Sequence, residues 1–200
     1  MNARGRPDRP DQPRRGRAHR TLILGGARSG KSVTAERLLA SYPRVDYVAT
    51  GAPPGDTDPD WAARIRTHRE RRPAAWTTLE TLDVEKVLVP PGAAAASLDP
   101  PVLVDCLSTW LARLMEGYGL WDGRPGAGQE LDRRMDALLT AWRATHRQVV
   151  AVSNEVGSGV VPATVSGVRF RDELGTLNAR VAAECEQVFL CTAGIAQRLK

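Results

Sequence analysis

TLILGGARSGKS, residues 21–32, is the stretch whose reading decides the fold. A short apolar run, Leu22 to Leu24, passes into Gly25, then Gly26-Ala27-Arg28-Ser29, then Gly30-Lys31-Ser32. That spacing fits the phosphate-loop pattern G-x-x-x-x-G-K-[ST] at every fixed position. Glycines let consecutive backbone N–H groups turn inward around phosphate oxygens, Lys31 supplies a point charge, and the Ser32 hydroxyl suits Mg²⁺. The apolar spacing of Val33, Ala35, Leu38 and Leu39 predicts a helix from 31 to 41, whose positive end adds to the same anion site.

Working outward, strand-like runs alternate with helical ones. A second strand is expected at 45–49, closed by Thr50-Gly51, and a loop dense in Pro, Gly and Asp covers 53–59. A helix follows over 59–71, capped by Asp58 or Asp60, with Trp61, Ile65 and His68 on one face. Residues 76–80 carry the chain into another short segment, 82–89 read equally as helix or strand, and 90–101 form a low-complexity loop. Val102–Asp105 has the pattern of a buried strand ending in a carboxylate. Helices are expected at 107–116, 130–146 and 172–186, strands at 148–152 and 188–191, and a mobile Gly-rich excursion at 117–128. The alternation implies a single-domain α/β fold of the P-loop NTPase kind, a mostly parallel sheet with helices on both faces. In such sheets ligands lie at the carboxyl ends of the strands, where Gly25, Thr50, Asp105 and Asn154-Glu155 converge.

Two hundred residues suit one domain with a real core. No apolar run approaches the roughly 20 residues of a membrane span, and no apolar segment follows the basic N-terminus as in a signal peptide. The net charge of +5 is local: residues 1–20 carry seven arginines against Asp8 and Asp11, and the remainder balances. No nucleic-acid-binding stripe on the body is therefore indicated, and the Pro/Arg/Gly-rich arm over 1–20 should be disordered ahead of a domain at 21–200. Three cysteines without C-x-x-C spacing, Cys106, Cys185 and Cys191, argue for reduced thiols packed in a cytoplasmic protein.

Three residues carry candidate chemistry beyond the loop. Asp105 reads either as the acid that holds Mg²⁺ opposite a phosphate loop or as the N-cap of the next helix. His68 stands among Arg64, Arg66, Arg69, Arg71 and Arg72, a field that favours a neutral ring and attracts phosphate, so it reads as a nucleophile or as a ring on a solvated face. The Glu80 carboxylate can accept the N1 and N2 donors that guanine presents and adenine lacks, or stand as a surface acid. Glu155 is the candidate base for a phosphoryl transfer, and His19 and His146 are expected in solvent.

With these stretches in view, the chain resembles the bifunctional adenosylcobinamide kinase/adenosylcobinamide-phosphate guanylyltransferase family. The resemblance covers residues 21–200 and rests on GGARSGKS (25–32), VAT (48–50), ARIRTHRERRPAAWTTLE (63–80), VDCLSTWL (104–111), SNEVGSGVVP (153–162), RFRDELGTLN (169–178) and AGIAQRLK (193–200). It implies nucleotide contacts at Gly25, Gly26, Ala27, Arg28, Ser29, Gly30, Lys31 and Ser32, at Ala49, Thr50 and Gly51, at Arg69, Glu70, Arg71 and Arg72, and at Glu80 and Asp105. It implies that His68 becomes guanylylated, that Lys31 serves catalysis, and that Ser32 and Asp105 hold Mg²⁺. ATP and GTP as nucleotides, adenosylcobinamide and its phosphate as substrates, and a homotrimer follow from the same resemblance. The arm, Thr67 and Ala179 depart from the pattern. The alternatives are a plain P-loop small-molecule kinase and a nucleotide-switched assembly protein that touches nucleic acid through its arm.

Overall fold

The computed structural model describes residues 19–52, 59–89 and 99–200. In chain order the elements are β1 (Arg20–Gly25), α1 (Lys31–Leu39), β2 (Asp46–Ala49), α2 (Pro59–Glu70), β3 (Thr77–Glu80), α3 (Val84–Leu88), β4 (Val102–Asp105), α4 (Leu107–Gly117), α5 (Ala127–Ala144), β5 (Val149–Asn154), α6 (Val165–Ala183), β6 (Gln187–Thr192) and β7 (Ile195–Arg198). The strands join one sheet in the order β3-β2-β4-β5-β1-β6-β7. All pairings are parallel except β6 with β7.

Successive strand residues point to opposite faces, so a sheet covered on both sides fills two cores from one set of strands. Leu22, Val104, Val149 and Ala151 enter the larger core, which α3, α4, α5 and α6 close with Leu88, Trp110, Leu131, Trp142 and Leu174. Ile23, Leu103, Val150 and Val152 enter the other, where α1 contributes Ala35 and Leu39 against Tyr47 and Trp76. Trp110 and Trp142 are fully buried, and a large aromatic in a close-packed core contributes about 3–5 kcal/mol against truncation.

Register brings the carboxyl ends of the strands into one row. Ala49 of β2 pairs Glu80 of β3 on one side and Asp105 of β4 on the other. Asp105 faces Val152 of β5, and Gly25 of β1 faces Asn154 two residues further on. The phosphate loop leaves the sheet at this edge.

The structure closes one open choice and departs from the sequence reading in three places. The segment 84–88, open between helix and strand, is the short helix α3. Helix α6 starts at Val165, seven residues ahead of the expected 172, because the Thr164 hydroxyl caps it by accepting from the Gly167 N–H at 3.1 Å. A Cβ at Gly167 would come within 2.7 Å of the Pro162 ring, so that glycine permits a tight helix entry and does not break the helix. The Gly-rich stretch 117–128 is an anchored turn: Leu120 is buried, its N–H donates to Met115 O at 2.8 Å, and α5 already begins at Ala127. Finally, β7 was not anticipated, since its four residues are all exposed and carry no apolar alternation. Of the N-terminal arm, His19 and Arg20 are already part of the sheet: Arg20 opens β1, and Val149 N–H donates to His19 O at 2.9 Å. The rest of the arm, Asp58 and the loop at 90–98 lie outside the described residues. Cys185 and Cys191 are buried as expected, and burial pushes the Cys185 thiol up to about 12.

Candidate active site

The phosphate loop is built from backbone constraints. Gly25 has φ +152°, and a Cβ there would stand 2.4 Å from Cys191 O and 2.6 Å from Ser29 Oγ. Arg28 adopts a positive φ of 55°, and Gly30, left-handed at φ 96°, starts α1 without any side-chain cap. The first-turn N–H groups of α1 are thereby left to an anion. Lys31 is 8% exposed and donates from Nζ to Gly26 O at 2.6 Å, while Ser29 Oγ is buried with no hydrogen-bond partner among the described residues. Behind the loop stands the β6–β7 turn, where Gly194 N–H donates to Ser29 O at 3.0 Å. A Cβ on Gly30 would meet Gly194 Cα at 3.1 Å.

The facing wall is made of side chains. A cavity of about 900 Å³ runs from Arg28–Val33 to the C-terminal end of α2 and to β3. There His68 Nδ1 lies 3.7 Å from Asp105 Oδ2 and 3.5 Å from Arg71 Nη2. Arg71 in turn donates to Glu36 Oε1 of α1 at 3.2 Å. Tyr47 donates its hydroxyl to Asp105 Oδ2 at 2.7 Å, and Arg72 stacks its guanidinium 3.3 Å from the Tyr47 ring centroid. Arg72 also donates to Thr78 Oγ1 at 3.0 Å, yet its Nε is buried without a partner among the described residues. Burial, reinforced by the Asp105 carboxylate, pushes the Tyr47 hydroxyl far above its ordinary value. It is a donor only. Burial likewise raises Glu36, opposed by the Arg71 charge. Arg69 pairs with Glu80 at the rim, both half exposed.

A loop for a polyphosphate, two carboxylates, a histidine and four arginines thus share one cavity. Residues 21–199 match the family of the cobinamide kinase / cobinamide phosphate guanyltransferase. The chain belongs to that family. It is 35% identical over 185 residues to the bifunctional adenosylcobalamin biosynthesis protein CobU of Salmonella typhimurium, covering 90% of this chain and 98% of that protein. To the corresponding protein CobP of Pseudomonas aeruginosa it is 43% identical over 188 residues, covering 90% and 97%. Among solved structures, a prototypical ATPase from a bacterial type III secretion system superposes with a TM-score of 0.53 at 13% identity, over 92% of this chain and 57% of that one. That likeness concerns the fold alone.

In this family member the cavity gathers most of the residues picked out in the sequence. Arg28, Ser29, Gly30, Lys31, Ser32, Ala49, Gly51, His68, Arg69, Arg71, Arg72, Glu80 and Asp105 line it. Gly25, Gly26 and Ala27 belong to the same loop but are not among the lining residues. Thr50 stands apart: it is fully buried, donates to Cys106 O at 2.7 Å and accepts from the Cys106 N–H at 3.0 Å, so it braces the β4–α4 junction. Glu70 is exposed on α2 and outside the cavity lining.

The open choice at Asp105 resolves against the cap. Cys106 is the N-cap of α4, its sulfur accepting from the Thr109 N–H at 3.4 Å, so the Asp105 carboxylate faces the cavity. Glu155 closes its own loop by accepting from Gly157 N–H at 2.8 Å and Ser158 N–H at 3.3 Å, which gives no support to a role as base. Sequence reading missed Glu36, Tyr47 and Thr78. Glu36 sits one turn beyond the loop's serine and on the same side of α1, which is a findable signal, whereas Tyr47 looks like any apolar strand residue.

Proposed function

We propose that this chain phosphorylates adenosylcobinamide with ATP or GTP and then transfers GMP from GTP, through a guanylylated His68, to give adenosylcobinamide-GDP. The observation that carries this reading is a histidine beside Asp105, in one cavity with the phosphate loop. In the kinase step the hydroxyl of the cobinamide aminopropanol arm attacks the γ-phosphorus, with Lys31 and the loop N–H groups balancing the charge that spreads over the phosphoryl oxygens. In the transfer step His68 attacks the α-phosphorus of GTP and pyrophosphate departs; the cobinamide phosphate then takes the GMP. Dividing the transfer lets each displacement occur at a group already placed in line. Glu80 selects guanine through its N1 and N2 donors, once Arg69 yields one carboxylate oxygen.

The donor set supports Mg²⁺. Among the described residues no group of three or more His, Cys, Asp or Glu side chains gathers as a cage. One carboxylate, Asp105, and one hydroxyl, Ser32, both lining the cavity, suit a hard cation that completes its shell with phosphate oxygens and water. Mg²⁺ so held supplies charge neutralisation at the polyphosphate.

Reduced thiols favour the cytoplasm, and the family resemblance favours a homotrimer, which light scattering on the purified chain checks. No helix among the described residues is long and apolar enough to cross a membrane. For the chemistry, the protein is incubated with α-labelled GTP and Mg²⁺, and acid-labile, alkali-stable label is expected on it. No label on the wild type, or undiminished label on His68→Ala, refutes the guanylylated histidine; cobinamide phosphorylation with no label leaves the plain kinase.

A further inference from the structure

The segment Ser153-Asn154-Glu155 ends β5 between the phosphate loop and Asp105. Gly25, the first residue of the loop, pairs Asn154 in register on one side, and Asp105 pairs Val152 on the other. Val150 and Val152 fill the core under α1, so the alternation of β5 puts Asn154 on that same face, as that of β4 puts Asp105 two residues beyond Leu103. Asn154 lines the cavity with Lys31, Ser32 and Asp105, and its side-chain amide has no hydrogen-bond partner among the described residues. Its backbone is the reverse. The peptide group that follows it is tied at both ends: Glu155 N–H donates to Gly25 O at 3.0 Å, and Asn178 Nδ2 of α6 donates to Asn154 O at 3.0 Å. We propose that Asn154 is a catalytic residue of the phosphorylation step, its amide donating to the γ-phosphoryl group and accepting from the incoming hydroxyl, and that Asn178 is the positioning residue that holds it at the phosphate loop. This rests on the kinase half of the reading above and adds to it the group at the γ-phosphorus that Glu155 does not supply.

The order of the strands says which phosphate Asn154 meets. Glu80 is on β3, His68 stands beside Asp105 of β4, and the phosphate loop leaves β1, with β5 between β4 and β1. From Glu80 to Asn154 is three strand spacings, about 14 Å. A nucleotide whose base is read at Glu80 and whose α-phosphorus faces His68 therefore carries its terminal phosphate on toward β5 and the loop. An amide suits that place. It offers donors and an acceptor on one planar group without a charge, so it can meet a phosphoryl oxygen and a hydroxyl together and repel neither. A loose phosphoryl transfer needs little of a base and much of orientation, which a group locked to the backbone of the loop provides. Asn178 is only 9% exposed, so water competes little for the bond that does the locking.

In the phosphorylation step the oxygen of the aminopropanol hydroxyl forms the bond to the γ-phosphorus of ATP. The bond from that phosphorus to the β–γ bridging oxygen breaks, and its electron pair leaves with ADP. The hydroxyl hydrogen points at Asn154 Oδ1 until the new P–O bond has formed, and the proton then goes to water. Asn154 Nδ2 donates throughout to a γ-phosphoryl oxygen, and the amide ends the cycle unchanged.

Three readouts on the full chain test this. In ATP-dependent phosphorylation of adenosylcobinamide, Asn154→Ala is expected to lower kcat by about ten- to hundredfold, the scale of one lost oriented donor, with KM for ATP within about threefold. Single-turnover labelling with α-labelled GTP and Mg²⁺ is expected to fall about tenfold less, because attack there is at the other end of the phosphates. Binding of ADP with Mg²⁺ and aluminium fluoride, a stand-in for the phosphoryl group in flight, is expected to weaken about tenfold in calorimetry while binding of ADP alone holds. Asn178→Ala is expected to lower kcat by about three- to tenfold, and adding it to Asn154→Ala should cost no more than about twofold, since it acts through that residue. Unchanged kcat in Asn154→Ala, equal falls in phosphorylation and labelling, or equal loss of ADP and its aluminium fluoride complex overturns the catalytic role; additive effects of the two variants overturn the positioning role. Asn154→Ser, a smaller change at the strand end, carries the same expectations where the alanine variant does not fold. A wild type that takes label but phosphorylates nothing removes the kinase half of the reading and this inference with it. A wild type that phosphorylates while Asn154→Ala keeps its kcat sinks this inference alone.

Discussion

The two walls of the cavity are held by different physics. The phosphate loop is a backbone object: its shape follows from left-handed or close-packed residues at Gly25, Arg28 and Gly30, and the β6–β7 turn supports it by a main-chain hydrogen bond. The His68 wall is a side-chain object, assembled from α1, α2, β2 and β4 by the Glu36–Arg71 pair and the Tyr47–Asp105 bond. A backbone site tolerates almost no substitution but needs only a dozen consecutive residues to specify it. A side-chain site needs several distant residues to agree, and each can be loosened alone.

This contrast sets the order of expected effects. The largest falls on both reactions at once: Lys31→Ala is expected to slow cobinamide phosphorylation and guanylylation by about 100- to 1000-fold each, as loss of a charge aimed at a developing anion does. Normal kinetics in either reaction would break the idea of a shared holder. Gly25→Ala should also strike both, since its Cβ would collide with Cys191 O at 2.4 Å. A fall in the thermal midpoint corresponding to about 1–3 kcal/mol is expected along with lost triphosphate binding, measurable by calorimetry. On the other wall the effect should be selective. Glu80→Gln, which removes an acceptor at a half-exposed rim, is expected to raise KM for GTP in guanylylation by roughly tenfold while leaving stability within about 1 kcal/mol. If KM for ATP in the kinase reaction rises equally, Glu80 does not read the base.

The smallest effect lies away from both walls. Glu186 at the start of β6 is raised by burial, but the stronger combined pull of its hydrogen bonds and ion pair with Arg20 leaves it below the ordinary carboxylate value. A depressed carboxylate contributes stability that is present above its unfolded pKa and disappears as pH falls through the folded one. Glu186→Gln should therefore differ from wild type by less than about 1 kcal/mol at neutral pH, and the difference should vanish in acid. Urea melts at neutral and acidic pH check the sign.

How much of this was legible in the sequence follows the same divide. The loop at 25–32 and the strand Val102–Asp105 were readable, because each is a local pattern whose neighbours confirm it. The meeting of Gly25, Asp105 and Asn154 at one sheet edge was readable, since parallel strands bring their carboxyl ends together, whereas the place of Glu80 beside Ala49 was not. Tyr47 was not, for nothing in a strand pattern tells which distant carboxylate a side chain will meet; Glu36 could be placed on the loop's side of α1, but not its meeting with Arg71. The start of α6 was misplaced for a different reason. Gly167 and Pro162 look like breakers one at a time, and only their contact reveals a tight entry capped by Thr164. His68 and Glu80 were singled out by residue type but lifted above their bland alternatives by resemblance alone.

The strand pairing has a consequence for how the site comes into being during synthesis. β1 lies between β5 and β6, so the strand that carries the phosphate loop finds its partners, among the described residues, in 149–154 and 187–191. While the ribosome makes the intervening hundred or so residues, the nucleotide motif waits without a floor, its apolar strand unpaired. The turn at Gly194, which braces Ser29, emerges later still. A nascent chain released before that point would carry the whole phosphate-loop sequence and have no framework to hold it, and nucleotide added during translation would find its site only as the final strands are laid down.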